Sequence, residues 1–447
     1  MEASNYNIFR KTPKNNYVGV NLLTGALLKF KNEQQFKQAL SIIKKPDSFP
    51  NLETNLIEIK NNLIKGGFIV KNRNEENNRI RSRELLAQYG SKGLSITIVN
   101  TFDCNFRCVY CYERHRKIYM NNGCMERILK FIDNQVKYRS TSPLSIAWYG
   151  GEPLLNLEII RKLNSRIRNI CIKNNCEFNS VMSTNGYLLK GRVAQILIDE
   201  FHLQKIMITL DGPKEIHDKR RPLANGKGTY ETIMENLLTF LEKKSIDTIL
   251  KIRVNLDKEN LDYLDYFLKN FPPKLRDDVI FEFESTSMLS TVPKDHYDKM
   301  FTPDKHPERV AKILTLYNKY INIDKSTKQV PFVFKPIKRW GTYCGVEKLD
   351  SFVIGPKCRI YKCAAMVEKK DSISKIDKEG KLVINESKLA NWTELNLTND
   401  IVCGKCKFRP ICHGGCKSKK KSKFPFCTQI KLSYKLYLDW FVDTYFE

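Results

Sequence analysis

The sequence predicts an α/β protein built around a partial (β/α)6 barrel of the TIM type. Between residues 94 and 285, six apolar strand-like segments alternate with amphipathic helical segments, which is typical of a parallel sheet. Six units are too few to close an eight-fold barrel, so the sheet is expected to be open. Loops after several of these strands contain cysteine, glycine or polar residues, and a barrel of this type binds its ligands at that end.

The segment before the barrel, residues 1–75, is predicted to be a small separate module. Strand-like NYNIFRK and YVGVNLLTGALLKF come first, and two helical segments and the short strand GGFIV follow. The helical segments have apolar residues at helical spacing, namely Phe36, Leu40 and Ile43, then Leu56, Ile59 and Leu63. Polar and charged residues without periodicity come next, so residues 76–93 are predicted to be a linker.

The barrel, residues 94–285, has predicted strands at residues 95–99, 144–149, 178–183, 205–210, 249–255 and 279–285. Helical segments lie between them, as in TYETIMENLLTFLEKK. After the barrel, residues 286–343 are predicted to be a bridge that contains the helical pattern RVAKILTLYNKYI. Residues 344–447 are predicted to form a cysteine-rich domain of short strands that ends in an amphipathic helix.

Composition narrows the class of protein. A chain of 447 residues is too long for one ordinary core, and 42% hydrophobic residues indicate a folded protein. The N-terminus has no apolar signal core and no run of about 18 apolar residues follows, so a cytoplasmic protein without membrane contact is expected. In such a protein, 14 cysteines indicate metal or redox chemistry rather than disulfides.

The formal net charge is +27, from 76 Lys and Arg against 49 Asp and Glu. This excess fits a nucleic-acid partner or a polyanionic peptide partner. It also fits a compositional bias towards lysine in which most of the charges are simply solvated.

Three cysteines lie just after the first barrel strand, in TFDCNFRCVYCYE at residues 101–113. A closed structural zinc site needs four protein ligands. Three thiolates can instead hold three irons of a 4Fe–4S cluster and leave the fourth iron open. Cys104, Cys108 and Cys111 are therefore candidate cluster ligands, with a zinc knuckle as the alternative.

The spacing C-x3-C-x2-C, with Tyr110 before the last cysteine, resembles the radical S-adenosylmethionine (SAM) superfamily. In that family SAM binds the open iron through its amino and carboxylate groups. One electron then splits SAM to a 5′-deoxyadenosyl radical, which abstracts hydrogen from the substrate. The resemblance implies SAM and a 4Fe–4S cluster as cofactors.

Further motifs follow successive strands at the positions where that family has them: YGGEP, STNG, TLDG and HDKRRP. The resemblance implies that the glycine turn lets the backbone approach SAM, and that the backbone or Glu152 receives its ammonium group. The alternative interpretation is that the polar residues of these motifs are ordinary turn residues at strand ends and that the arginines form surface ion pairs. The expected SAM contacts are Tyr110, Gly150, Gly151, Glu152, Ser183, Asn185, Thr209, Arg221 and Arg253.

The C-terminal cysteines resemble the SPASM extension of radical SAM enzymes, which binds two auxiliary 4Fe–4S clusters. The resemblance implies three 4Fe–4S clusters in all, and a zinc ribbon is the alternative for this region. One auxiliary cluster is expected on Cys403, Cys406, Cys412 and Cys427. The nearer one is expected on Cys344, Cys363 and Cys416.

Cys358 departs from that pattern, because it occupies a hairpin position that is usually glycine. Either Cys358 completes the nearer auxiliary cluster, or that cluster has an open iron that a substrate thiolate can bind. Cys124, Cys171 and Cys176 fall in helical segments and are expected to be ordinary thiols.

Two subfamilies of SPASM proteins compete for the function. Anaerobic sulfatase-maturating enzymes have an aspartate base directly after the second SPASM cysteine, where this chain has Ala364. Maturases of ribosomally synthesised peptides often begin with a winged-helix-like recognition element that adds the leader of the precursor as a strand. The N-terminal module resembles that element in order and size, although a helical cap on the barrel is an alternative.

The predicted function is therefore SAM-dependent modification of a precursor peptide with a leader, through a thioether or other carbon-centred crosslink. Epimerisation is also open, and the sequence identifies no catalytic base. An external electron donor such as flavodoxin or ferredoxin is an expected partner. The alternatives are a sulfatase-maturating enzyme and, from another class, a zinc protein that binds nucleic acid; nucleic acid is not the expected partner.

Overall fold

The computed structural model describes most of the chain. The described residues are 1–47, 54–90, 93–139, 142–245, 247–285, 292, 294–302, 305–321, 341–342, 344–394, 397, 400–420 and 429–445. The predicted cluster ligand Cys427 and much of the predicted bridge, residues 286–343, lie outside these ranges.

The N-terminal region contains the strands and helices that the sequence predicts. They are β1 (Glu2–Ala3), β2 (Asn7–Lys11), β3 (Tyr17–Asn21), β4 (Leu27–Phe30), α1 (Glu33–Lys44), α2 (Thr54–Lys65) and β5 (Ile69–Val70). Strands β2, β3 and β4 form an antiparallel sheet in that order, and β1 pairs with β5. Phe30, Ile42, Leu63 and Phe68 are buried in a core between this sheet and the two helices.

The predicted linker, residues 76–93, is largely helical instead. Helix α3 spans Arg73–Tyr89, and its buried residues recur every four positions: Glu76, Ile80, Glu84 and Gln88. Three of these four are polar, so a search for apolar periodicity misses the helix. The helix is nevertheless stabilised by tertiary contacts. Ser4 donates a hydrogen bond to Glu76, and Arg409 donates to Glu84 at 3.1 and 2.8 Å.

Six parallel strands form the predicted partial (β/α)6 barrel. They are β6 (Leu94–Val99), β7 (Leu144–Tyr149), β8 (Phe178–Thr184), β9 (Lys205–Thr209), β10 (Ile249–Leu256) and β11 (Val279–Ser285). Each strand pairs with the next one along the chain. The fold class predicted for this region is therefore confirmed.

Helices cover the outside of the barrel sheet. They are α4 (Asn122–Arg139), α5 (Leu157–Lys173), α6 (Arg192–Ile196), α7 (Lys214–Arg220), α8 (Tyr230–Lys243), α9 (Leu264–Asn270) and α10 (Pro273–Asp278). Their apolar faces pack on the strands around buried side chains such as Trp148, Phe131 and Ile208. This rigid packing places all six strand ends at one edge of the sheet.

The C-terminal part extends the same sheet. It contains α11 (His306–Tyr320), β12 (Ser351–Ile354), β13 (Arg359–Tyr361), β14 (Ser374–Ile376), β15 (Leu382–Ile384), α12 (Glu386–Thr393), α13 (Arg409–Cys412), α14 (Lys417–Lys420) and α15 (Gln429–Tyr445). Strand β12 pairs in parallel with β6, and β13 to β15 continue antiparallel to make a ten-stranded sheet.

The N-terminal region packs against the C-terminal helix. Side chains of β2, β3, α3, α11 and α15 share one apolar core, which includes Ile8, Val20, Ile80, Leu314 and Leu438. Arg10 of β2 also pairs with Asp439 of α15. Among the described helices, none is both long and apolar enough to cross a membrane.

Candidate functional site

A cavity of about 230 Å³ lies at the carboxyl ends of the barrel strands and contains the three-cysteine loop. Cys104, Cys108 and Cys111 line it. Eight of the nine predicted SAM contacts also line it, namely Tyr110, Gly150, Gly151, Ser183, Asn185, Thr209, Arg221 and Arg253. The cysteine loop, the segment after α7 and the ends of β7, β8, β9 and β10 therefore meet in one place.

Backbone hydrogen bonds hold the cysteine loop against the segment that follows α7. The Arg107 amide donates to the Pro222 carbonyl at 2.8 Å, and the Val109 amide donates to the Arg220 carbonyl at 3.0 Å. Phe106 is fully buried and packs edge-on against Tyr187. These contacts fix the loop without using any cysteine sulfur, so all three thiols are available as ligands.

The three thiols lie in an environment of low polarity. Burial raises the pKa of each one, to about 12 for Cys111, and the neighbouring thiolates raise the pKa values of Cys104 and Cys111 further. Thiolates in such a site are stabilised by the positive charge of bound metal. Three converging thiols in a buried loop thus fit the ligand set of an iron–sulfur cluster.

Among the residues that the structure describes, no three His, Cys, Asp or Glu side chains are grouped as the ligands of a single metal ion.

The glycine turn after β7 brings the backbone to the edge of the cavity. Gly150 has a φ of +152°, in the region that favours glycine. A Cβ on Gly151 would overlap the Asp103 carbonyl group and would lie 2.7 Å from its carbon. Only glycine therefore allows this turn to lie against the cysteine loop.

Glu152 is the one predicted SAM contact that does not line the cavity. It is fully buried, and its carboxylate accepts hydrogen bonds from the Leu154 amide at 3.0 Å, the Thr184 hydroxyl at 2.7 Å and the Asn185 amide at 2.7 Å. Its oxygens are thus engaged by protein donors. The resemblance implied that either Glu152 or the backbone of this turn accepts the ammonium group of SAM. Of these two, only the backbone, at Gly150 and Gly151, lies at the cavity.

Tyr110 and two arginines form the polar wall of the cavity. The Tyr110 hydroxyl donates to Asp211 at 2.5 Å and accepts from Arg221 at 2.7 Å and from Asn255 at 3.0 Å. Arg253 pairs with Glu282. The Arg221 Nε is buried without a hydrogen-bond partner among the described residues.

Sequence reasoning missed several cavity residues, among them Tyr112, Glu113, His115 and Tyr149. The Tyr112 and Tyr149 hydroxyls hydrogen-bond to each other, and burial raises the pKa of Glu113 to about 7 although Tyr149 opposes the rise. The His115 Nε2 lies 3.5 Å from the Cys111 sulfur. The closeness of Tyr112, Glu113 and His115 to Cys111, and of Tyr149 to Gly150, was the sequence signal that could have identified them.

The predicted ligands of the nearer auxiliary cluster also come together. Burial raises the pKa of Cys344 to about 12, and the nearby thiolates of Cys416 and Cys363 contribute to the rise. The Cys416 sulfur lies 3.0 Å from the Ser418 hydroxyl. Cys403, Cys406 and Cys412 lie in one loop that ends in α13, and their expected partner Cys427 is outside the described residues.

Cys358 forms a disulfide with Cys124 of α4, with a Cα–Cα distance of 5.5 Å. Its sulfur is therefore unavailable as a ligand in this structure, and the expectation of an ordinary Cys124 thiol is wrong. Cys358 has a φ of +56° at the turn between β12 and β13, which explains why glycine suits this position. Cys171 lies within α5, whereas Cys176 follows the end of that helix.

Residues 98–270 match the family model of the Radical SAM superfamily. This match covers the cysteine loop, the glycine turn and the ends of β6 to β10. This part of the chain is thus similar to the Radical SAM superfamily, whose members use a 4Fe–4S cluster and SAM. The cysteine donors and the glycine turn fit these groups.

Several known proteins are similar to this chain over most of its length. A cysteine-type anaerobic sulfatase-maturating enzyme of Clostridium novyi is 25% identical over 355 residues, 74% of this chain and 91% of the relative. The structure of anSMEcpe with bound AdoMet superposes with a TM-score of 0.59 at 22% identity, over 78% of this chain and 96% of that one. The structure of Streptococcus suis SuiB bound to the precursor peptide SuiA superposes with a TM-score of 0.50 at 16% identity, over 96% of this chain and 99% of that one.

Both structural likenesses are below 25% identity, so they show the fold. The likeness to anSMEcpe and SuiB agrees with the α/β barrel predicted from the sequence.

Proposed function

We propose that the protein modifies a ribosomally synthesised precursor peptide, forming a thioether or another carbon-centred crosslink. When bound, the cluster and SAM supply a 5′-deoxyadenosyl radical that abstracts hydrogen from the substrate. The cavity residues bind and orient SAM beside the cysteine loop. The observation that most supports a peptide substrate is the open edge of the N-terminal sheet.

β2 and β4 are the two terminal strands in the order β2–β3–β4, and among the described residues no further strand pairs with the outer side of either. The edge proposed for the peptide is that of β4. An extended leader peptide can add to such an edge through main-chain hydrogen bonds. Lys29 and Lys31 are exposed at this strand, and they would attract an acidic leader.

The position after Cys363 supports the choice among SPASM subfamilies. Ala364 packs in a small apolar cluster with Phe102, Val353 and Tyr361. Its methyl group cannot accept a proton, so the aspartate base expected of a sulfatase-maturating enzyme is missing there.

The disulfide of Cys358 bears on the chemistry of the proposed crosslink. With its sulfur bonded to Cys124, three cysteines are left for the nearer auxiliary cluster: Cys344, Cys363 and Cys416. We infer that one iron of that cluster is open to a substrate thiolate, which would hold a cysteine of the precursor for thioether formation.

Sulfatase maturation is the second candidate, favoured by the similarity to the Clostridium novyi enzyme over 74% of this chain. In that reaction a cysteine of a sulfatase would be oxidised instead of crosslinked. A carboxylate other than the missing aspartate is present, because Glu113 lines the cavity. The two candidates share the radical and differ in the fate of the substrate.

Anaerobic co-expression with short peptides encoded beside the gene tests the proposal. Mass spectrometry should show a loss of two hydrogens per crosslink, and the loss should disappear in the Cys104→Ala variant and with a leaderless peptide. A cysteine-containing sulfatase peptide is assayed in parallel for aldehyde formation. If that peptide is converted and no precursor is, sulfatase maturation replaces the proposal.

A further inference from the structure

The ten-stranded sheet has an open edge at β15. Strands β11 and β15 are its two terminal strands, and among the described residues no further strand pairs with the outer side of either. β15 consists of Leu382, Val383 and Ile384, and the last two residues are 70% and 41% exposed. Terminal strands are commonly protected by lysine, proline or a covering segment, because unpaired main-chain groups and apolar side chains attract another chain. β15 itself contains neither lysine nor proline.

A cavity of about 720 Å³ adjoins this edge and is bounded by α4, the β14–β15 hairpin and the start of α12. We call it the β15 groove. Six basic residues line it, namely Arg127, Arg359, Lys369, Lys375, Lys378 and Lys388. The acidic lining residues are two, Asp377 and Glu379. The lining residues thus carry a surplus of positive charge, which attracts an acidic ligand.

The walls of the β15 groove are fixed by contacts between the hairpin and α4. The Lys130 ammonium group of α4 donates a hydrogen bond to the Lys378 carbonyl at 3.0 Å. The turn at Gly380 lies directly on the same helix, because a Cβ there would be 2.6 Å from the Phe131 nitrogen. A ligand of the β15 groove therefore meets a preformed surface, and binding needs little ordering of the protein.

Three kinds of partner carry or tolerate this combination of charge and open edge to different degrees. A second copy of the chain would bring two basic grooves together, and like charges at an interface repel. Nucleic acid has the right charge, but none of the described lining residues is aromatic, so the groove offers no platform for stacking bases. An extended acidic peptide fits both features, because its main chain can pair with β15 while its carboxylates meet the basic side chains.

The proposed substrate can reach the β15 groove from the N-terminal region. Helix α3 binds Ser4 through Glu76 near its first turn, and near its last turn Gln88 donates to the carbonyl of Thr393, the last residue of α12. Helix α12 begins two residues after β15 ends. At 1.5 Å per residue, α3 and α12 are about 26 and 12 Å long. About twelve extended residues of a peptide span that combined length.

We propose that the β15 groove binds an extended acidic segment of the precursor peptide, which adds to β15 as a further strand. This segment is distinct from the part that binds at β4, so the precursor is held at two sheet edges. Two linked contacts bind more tightly than either one alone, because the second forms within the complex. The inference rests on the proposed function, since it takes a precursor peptide as the substrate.

Fluorescence anisotropy with a labelled decapeptide of alternating glutamate and valine tests the β15 groove. The full reconstituted chain is used in a background of Lys29→Glu and Lys31→Glu, which removes the charge attraction of the β4 edge. Lys375→Glu with Lys378→Glu should weaken binding about tenfold, because each reversal removes an attraction and adds a repulsion. A decapeptide of alternating lysine and valine should not bind.

A milder pair and a matched pair of substitutions complete the series. Lys375→Gln with Lys378→Gln should give an affinity between those of the background chain and the charge reversal, and it keeps the test decisive if the reversed chain fails to fold. Lys243→Glu with Lys269→Glu changes the net charge as much as the reversal, at exposed residues of α8 and α9. It should leave the affinity unchanged. Equal weakening by the two reversals, or none by either, would overturn the proposal.

Two other outcomes assign the edge to a different partner and also overturn the proposal. The first is a single-stranded DNA that binds more tightly than the acidic decapeptide and loses its affinity in Lys375→Glu with Lys378→Glu. The second is a dimer, seen by sedimentation velocity, that Val383→Glu dissociates.

The anisotropy measurement requires no turnover, so the groove and the proposed function can fail separately. Absence of crosslinking in every precursor would refute the proposed function and leave the binding result intact. Crosslinking with a KM for the precursor that Lys375→Glu with Lys378→Glu does not raise would refute the groove alone.

Discussion

Adjacent residues of the glycine turn have different tasks in this site. Gly151 lets the backbone lie against Asp103 at the cavity, whereas Glu152 turns away and accepts hydrogen bonds from Leu154, Thr184 and Asn185. The carboxylate thereby ties the turn after β7 to the end of β8. Two consecutive residues of the GGEP motif thus differ in role: Gly151 shapes the edge of the cavity, and Glu152 holds the turn in place.

Gly151→Ala should weaken SAM binding. The new methyl would overlap the Asp103 carbonyl and lie 3.1 Å from the Cys104 Cβ, so the turn and the cysteine loop must separate. Such overpacking costs about 1–3 kcal/mol, which corresponds to roughly tenfold or more in affinity if the site bears the strain. Equilibrium titration of the reconstituted protein with SAM measures the effect.

Gly123→Ala in α4 is the matched control for this change. Its Cβ would meet only the Asn121 side chain, at an ordinary 3.6 Å. SAM affinity should equal that of the wild type. Equal affinities in both variants would show that close backbone approach at Gly151 does not shape the SAM site.

At the scale of single elements, α3 connects three parts of the molecule. Glu76 accepts from Ser4 near the N-terminus, Glu84 pairs with Arg409 beside the C-terminal cysteine loop, and Gln88 donates to the Thr393 carbonyl. The helix therefore depends on buried polar pairs rather than on an apolar stripe. Its polar sequence is the reason that it was predicted to be a linker.

Glu84→Gln should destabilise the protein strongly. It removes one partner of an ion pair at 2.8 Å whose side chains are 0% and 4% exposed, leaving Arg409 without its carboxylate. Breaking a buried pair in this way costs about 3–5 kcal/mol. Urea denaturation under anaerobic conditions should show a correspondingly lower free energy of unfolding.

Glu242→Gln provides the comparison, because its pair with Lys274 is more than half exposed on both sides. Exposed pairs contribute about 0–1 kcal/mol. If the two variants unfold at the same urea concentration, the Glu84–Arg409 pair does not stabilise the position of α3.

At the scale of the whole molecule, the barrel and the cysteine-rich part share a single sheet. Strand β12 pairs with β6, and the Cys124–Cys358 disulfide joins α4 to the turn that follows β12. Cys363 comes soon after β13 in the same sheet. The proposed nearer auxiliary cluster would therefore be attached to the barrel scaffold and not to a separate unit.

The iron content tests the three proposed clusters together. Anaerobic reconstitution should yield about twelve irons and as many acid-labile sulfides, since each 4Fe–4S cluster holds four of each. Replacing Cys344, Cys363 and Cys416 by alanine should leave about eight irons and retain SAM cleavage at the cavity cluster. Zinc in place of iron at this site would support the zinc-ribbon alternative instead.

The sequence by itself determined the barrel and the position of its site. Strand and helix periods are local, and the C-x3-C-x2-C and GGEP motifs follow strands whose ends must meet in a parallel sheet. The six barrel strands were therefore predicted to within two residues of their observed bounds, and all but one of the predicted SAM contacts line the cavity.

Only the tertiary structure decided the properties that depend on distant partners. Glu152 points away from the cavity because the Thr184 hydroxyl of β8 donates a hydrogen bond to it. Helix α3 is stabilised because Ser4 and Arg409 bind its buried glutamates. Cys358 forms a disulfide with Cys124, which is 234 residues away in the sequence. Arg220 pairs with the Asp257 carboxylate, whereas Arg221, adjacent in sequence, donates to the Tyr110 hydroxyl. Charge compensation and polar burial arise from contacts in space, and no local period of the sequence encodes them.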